Sequence, residues 1–167
     1  CSITTDGYVD AFYDAQSNDY ADISASVKTG AGEAADVLFA ADNIKSLVIN
    51  ADKNADNKVI YVNVDDSAAE DKKVNQAGKL VVNAEDDVTF TIIETFKGTE
   101  GVAGNTAFRT LIDAGKNSHV KLVQVFLQPK EQDVLSDIGS RCADEAGFEL
   151  VQLFLGEGSL YDGIRTD

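Results

Sequence analysis

The chain of 167 residues has no methionine, no tryptophan, one histidine, one proline and two cysteines. Nucleophilic, acid–base and zinc chemistry depend largely on histidine, cysteine and clustered carboxylates. His119 stands alone, because the sequence contains no second histidine and no nucleophile-elbow motif that could complete a catalytic triad. These shortages favour a protein that is not an enzyme, with no catalytic and no cofactor-binding residues.

Long apolar runs are also missing, and none approaches the ~20 residues that a membrane-spanning helix needs. We therefore expect no transmembrane segment. Basic residues are scarce, with 14 lysines and arginines against 29 aspartates and glutamates and a net charge of −15. Direct binding to duplex DNA is not expected, since that partner requires many lysines and arginines. The acidity favours solubility, a basic protein partner or bound cations.

The apolar residues that are present, 44% of the chain, suffice for one ordered domain. Their pattern predicts two helices in the second half. One runs from Asn105 to a glycine cap at Gly115, and the other begins at Pro129 and ends at Gly147. Alternating β-branched and apolar residues predict strands over residues 22–28, 47–49, 59–64, 80–82, 88–96, 119–127 and 148–155.

Two similar hexads stand out in the last third of the chain. Residues 122–127 read Leu-Val-Gln-Val-Phe-Leu and residues 150–155, 28 positions on, read Leu-Val-Gln-Leu-Phe-Leu. Interior strands of one sheet select the same apolar residues, which explains the likeness without a duplication. No fixed period of 20–50 residues runs through the chain, so a solenoid is not expected.

The predicted fold class is therefore α+β. A mainly antiparallel β-sheet or sandwich over residues 1–96 is completed by a carboxyl-terminal strand–helix–strand unit over residues 119–155, whose two strands are expected to be parallel.

The first 21 residues combine aromatic side chains with aspartates and contain no base. We expect residues 1–21 to form either an edge strand or an arm that docks on a neighbouring copy, and residues 22–167 to form the domain. The candidate assembly contacts are the four aromatic residues Tyr8, Phe12, Tyr13 and Tyr20.

Asp52, Asn54 and Asp56 have the spacing of the first three oxygen ligands in a calcium loop. The acid that such a loop needs at its twelfth position is absent, since that residue is Asn63. A polar turn between two strands explains the same residues, so both interpretations stay open.

Cys1 is either the lipidated start of a mature lipoprotein or the residue that follows a removed initiator methionine. A disulfide with Cys142 is a further alternative.

These features favour a structural subunit that self-associates or coats a larger particle or filament. A virion component, such as a capsid-decorating or tail-tube protein, and an extracellular filament or surface subunit both fit. The expected partners are copies of itself or another protein of the same assembly, in a virion or at a cell surface. The alternative is a lipid-anchored or secreted acidic module that binds calcium or a basic protein.

Overall fold

The computed structural model describes residues 2–6, 10–16, 44–66 and 74–167. This part of the chain is almost entirely β-strand, with one short 3-10 turn at Lys53–Ala55 and no α-helix. Its strands are β1 (Ser2–Asp6), β2 (Asp10–Gln16), β3 (Ile44–Ala51), β4 (Val59–Asp66), β5 (Val74–Ala84), β6 (Thr89–Gly98), β7 (Gly104–Ala114), β8 (His119–Phe126), β9 (Gln132–Cys142), β10 (Gly147–Phe154) and β11 (Leu160–Thr166).

The strands form two sheets, one in the order β1-β4-β6-β8-β10 and the other in the order β11-β9-β7-β5-β3-β2. From β3 onward, successive strands alternate between the sheets, and each pairs in parallel with the strand two places later. β1 and β2 instead lie antiparallel on β4 and β3. The chain therefore winds in coils, each with one strand in either sheet, and the fold is a β-solenoid.

Parallel pairing without slippage stacks equivalent side chains of successive coils in columns. Ile60, Ile92, Leu122 and Leu150 form one such column in the five-stranded sheet. Because a strand turns alternate side chains to opposite faces, every second residue of β8 enters the core between the sheets. The core is thus a continuous apolar stack that runs the length of the solenoid.

The turns that join the two strands of each coil also stack. Each has one residue in the left-handed backbone region, namely Asn57, Asp87, Asn117 or Glu145, with φ between 54° and 60°. Asparagine and aspartate tolerate this conformation better than most residues, which explains three of the four identities. Asn117 Nδ2 donates to Asp87 Oδ1 at 2.7 Å, so polar side chains link one turn to the next.

The predicted fold class is wrong. Within residues 1–96 only β1 and β2 pair antiparallel, whereas β3 pairs with β5 and β4 with β6 in parallel, as do all later strands that the structure describes. β9 occupies the place of the helix in the predicted strand–helix–strand unit over residues 119–155. The helix predicted from Asn105 is strand β7. Both errors have one cause: β7 and β9 are buried on both faces, so adjacent residues such as Val134 and Leu135 are both apolar and imitate helical spacing.

The other predicted strands are confirmed where the structure describes them, and the parallel pairing of β8 with β10 is confirmed as well. Residues 22–28 lie outside the described residues, as does the proposed boundary between residues 21 and 22.

The expectation that the chain is not a solenoid is also wrong. Successive coils become shorter: Lys45 pairs with Gly78, 33 residues on; Val74 with Gly104, 30 on; Gly104 with Gln132, 28 on; and Val134 with Leu160, 26 on. A search for one fixed period misses this series. The two hexads occupy equivalent positions of consecutive coils, and their spacing of 28 residues is one coil.

Candidate functional site: the carboxyl-terminal end of the solenoid

A column of phenylalanine rings runs along the five-stranded sheet. Phe96 and Phe126 stack with ring centroids 4.9 Å apart, and Phe126 and Phe154 stack at 5.6 Å. Phe108 of the other sheet meets the edge of Phe96 at 5.4 Å. Phe126 is 1% exposed, whereas Phe154, the last ring of the column, is 61% exposed. The stack is therefore covered on one side of Phe154 and open on the other.

A polar column lies beside the rings, formed by Glu94, Gln124 and Gln152 in successive coils. Gln124 Nε2 donates to Glu94 Oε2 at 2.7 Å, and Gln152 Nε2 donates to Gln124 Oε1 at 2.9 Å. Each residue after the first thus donates its amide hydrogen to the residue one coil earlier. The column has a direction, and the Oε1 atom of its last residue, Gln152, accepts no hydrogen bond from another member of the column.

The polar column is also linked to the facing sheet, always toward the strand that follows in the chain. Thr110 Oγ1 donates to Glu94 Oε1 at 2.8 Å, and Gln124 Nε2 donates to Ser136 Oγ at 3.3 Å. Gln152 Nε2 makes the third link, to Asp162 Oδ2 at 2.9 Å. These hydrogen bonds satisfy polar groups that would otherwise be costly to bury.

Glu94 is the innermost member of the network and is completely buried. Burial raises its pKa from 4.5 to about 7, and the hydrogen bonds from Gln124 and Thr110 act in the opposite direction. Desolvation of the carboxylate is therefore the larger effect.

The last coil is only half formed in the described residues. β11 pairs with β9 and so extends the six-stranded sheet by one strand, whereas the five-stranded sheet ends at β10. A step of one strand's width results, with the edge of β10 as its floor and the inward side chains of β11 as its wall. Leu155 is 67% exposed and Ile164 52% exposed at this step.

Polar atoms at the step are incompletely paired. Asp162 Oδ1 is buried and has no hydrogen-bond partner, while its Oδ2 accepts from Gln152. The backbone of β10 pairs with β8 along one edge, and no strand in the described part of the chain pairs with the other. Exposed apolar side chains, a buried acceptor and an open strand edge therefore coincide, which is typical of a protein-binding surface.

A second surface feature is a groove of about 300 Å³ on the outer face of the six-stranded sheet. All three arginines of the chain line it. Arg141 binds the carboxylate of Asp113 with two nitrogens, and Arg109 Nε lies 4.0 Å from Asp137 Oδ2. Each pair joins residues directly opposite on neighbouring strands. Cross-strand ion pairing accounts for these two arginines without a ligand.

The candidate calcium residues lie in the turn between β3 and β4. Asp52 accepts from Asn54 through both of its carboxylate oxygens, at 2.8 and 3.0 Å. Asp56 Oδ1 accepts from the backbone of Thr89 in the next coil at 2.8 Å. The structure thus places all three residues in one turn, where their side chains make hydrogen bonds within the turn and between coils. The described residues contain no group of three His, Cys, Asp or Glu side chains that could hold a metal ion.

The candidate assembly and lipidation residues lie near the other end of the chain. Phe12 and Tyr13 are on β2, whose backbone pairs with β3 at the edge of the six-stranded sheet. Cys1, Tyr8 and Tyr20 lie outside the described residues. Cys142 is a half-buried free thiol that packs against the core.

The residues of the polar column were not among the sequence-based candidates. Their signal is nevertheless present in the hexads: Gln124 alternates with Leu122 and Phe126, so it shares their inward face, and Gln152 repeats the pattern. A polar residue that recurs on an apolar face predicts a buried hydrogen-bond partner. Asp162, which accepts a hydrogen bond from Gln152, lies in no comparable sequence pattern.

Comparison with protein-family models, with curated proteins and with solved structures finds no match. Within the described part of the chain, no helix has the length and apolarity needed to cross a membrane.

Proposed function

We propose that this chain is a non-enzymatic structural subunit that associates with copies of itself, within a larger particle or filament, through the carboxyl-terminal end of the solenoid. The observation that carries the proposal is the half-formed last coil, where the column that buries Phe126 leaves Phe154 exposed. Burial of an apolar side chain of this size in an interface contributes roughly 1.5–3 kcal/mol to the free energy of association. A neighbouring copy that covers Phe154, Leu155 and Ile164 therefore binds with a substantial contribution from apolar burial.

The acidity of the chain acts against close contact between copies, since each carries a net charge of −15. Salt screens such repulsion over a Debye length of about 8 Å at physiological ionic strength. Association is therefore expected to strengthen as salt is added, which distinguishes apolar contact from association driven by opposite charges.

Sedimentation velocity and negative-stain microscopy over a range of protein and salt concentrations test the proposal. We expect concentration-dependent oligomers that Phe154→Asp abolishes. Tyr61→Asp is the matched control, because Tyr61 is an exposed aromatic residue on β4, away from the step. A monomer under all conditions would overturn the proposal, and so would equal loss of association in both variants.

A further inference from the structure

We infer that the neighbour which joins at this end contributes a single β-strand, which lies parallel to β10 and completes the last coil. The strand carries an aromatic side chain in register with Phe154 and a side-chain amide in register with Gln152. This inference rests on the proposed function for its setting, but its evidence is the pattern of columns inside the solenoid.

One strand fills the step. β11 already occupies the six-stranded sheet in this coil, and no strand in the described part of the chain occupies the position beside β10 and opposite β11. From β3 to β10, every coil has one strand in each sheet. One strand of about eight residues, the length of β10, therefore completes the coil. Addition of a strand to an open sheet edge is a common mode of protein recognition.

The polar column fixes one side chain of that strand. Each amide in the column donates to the residue one coil earlier and to the facing sheet. An amide in register with Gln152 continues the first series, because it can donate to Gln152 Oε1. The second series runs to the following strand and ends with the hydrogen bond from Gln152 to Asp162 on β11, the strand that would face the added one. The buried Oδ1 atom of Asp162, which has no partner, supplies the second acceptor. Satisfying a buried acceptor removes the desolvation cost of leaving it unpaired.

The ring column fixes a second side chain, two residues after the amide. Phe96, Phe126 and Phe154 stack nearly in parallel, with interplanar angles of 9° and 10°. A further ring over Phe154 repeats this contact and covers the exposed face.

The outer face of β10 carries an ion pair. Glu149 is exposed, and its carboxylate lies 3.1 Å from the ammonium group of Lys121 on β8. A lysine on the added strand would meet Glu149 from its other side.

Strand β8 has all of these residues, so its sequence is the natural probe. An eight-residue peptide with the sequence of residues 119–126, His-Val-Lys-Leu-Val-Gln-Val-Phe, places its amide over Gln152 and its ring over Phe154. The peptide is labelled with a fluorophore and titrated with the whole chain, and binding is followed by anisotropy. Matched peptides carry Phe126→Ala or Gln124→Leu, and a fourth has the same residues in reverse order.

We expect the probe to bind and each single change to weaken binding by roughly tenfold or more, since about 1.4 kcal/mol corresponds to a factor of ten. The reversed peptide should not bind. Hydrogen exchange on the complex should show new protection in β10 and none in β1, at the opposite end of the same sheet. In the protein, Phe154→Ala should weaken binding and Tyr61→Ala should leave it unchanged.

Absence of binding overturns the inference, as do equal binding of the four peptides and new protection that is as strong in β1 as in β10. These results are separable from those that test the proposed function. If the chain assembles but does not bind the peptide, the proposed function stands and the inference of a donated strand is refuted. If the chain binds the peptide but stays monomeric, the inference of a donated strand stands, and the strand comes from a different protein.

Discussion

The buried carboxyl group of Glu94 makes stability depend on pH in an unusual direction. Its pKa is about 7 in the folded chain, against an ordinary value of 4.5. Between these values the folded chain holds a proton that the unfolded chain has lost, so stability decreases as pH rises. The contribution is fully present below 4.5 and is lost as pH rises through 7. From about pH 5 to about pH 8.5 the loss amounts to roughly 2–3 kcal/mol.

Glu94→Gln isolates this contribution from the titration of the other acids. A glutamine amide keeps the shape of the side chain, because its oxygen can accept from Gln124 and its nitrogen can donate to Thr110 Oγ1. Urea unfolding of both proteins at several pH values gives the difference between their free energies of unfolding. We expect this difference to shift by roughly 2–3 kcal/mol in favour of the variant from about pH 5 to about pH 8.5.

Glu100→Gln serves as the control, because Glu100 lies exposed in the loop before β7. It makes the same chemical change, from carboxyl to amide, at an exposed position, and so gives the baseline for Glu94→Gln. A constant difference for Glu94→Gln would refute the reasoning, since it would mean that burial does not raise the pKa of this group. A shift of opposite sign would mean that the hydrogen bonds to the carboxylate outweigh its desolvation.

Two further predictions concern the ring column and the stacked turns. Phe126→Ala should lower the free energy of unfolding by about 3–5 kcal/mol, because it opens a cavity between two stacked rings. Phe154→Ala should cost clearly less in the monomer, and equal losses in urea titrations would contradict the role of burial. Glu145→Gly should raise the stability by up to about 1 kcal/mol, since glycine adopts a left-handed backbone without strain. Glu145→Val should lower it, and identical denaturation midpoints for the two variants would argue against strain at this turn.

The sequence predicts strands well where only one face is buried. In β6 and β8 buried residues alternate with more exposed ones, so the period of two is visible. In β7 the run from Gly104 to Thr110 is buried on both faces, and the alternation disappears. Phe108, Leu111 and Ile112 then coincide with helical spacing by chance. Alternation is lost in β9 for the same reason. This strand therefore resembled a helix, and β8, β9 and β10 were predicted to form a strand–helix–strand unit.

The solenoid itself is encoded in the columns rather than in a repeat of fixed length. Ala51, Ala84, Ala114 and Cys142 occupy equivalent positions, but loops of different length separate them. The candidate site was hidden for a related reason. Nothing in the local sequence of Phe154 distinguishes it from Phe126, and their different exposure arises only from their places at the end and in the middle of a stack.

Contacts in the described part of the solenoid are made almost entirely between strands that are neighbours in a sheet. The free energy of such an array is approximately a sum over coils and the interfaces between them. Local opening then proceeds by fraying from an end, and its free energy rises with distance from that end. β10 and β11 form one such end in the described part of the chain. A strand bound there would act as a clamp whose protection is greatest in the last coil and declines toward β3.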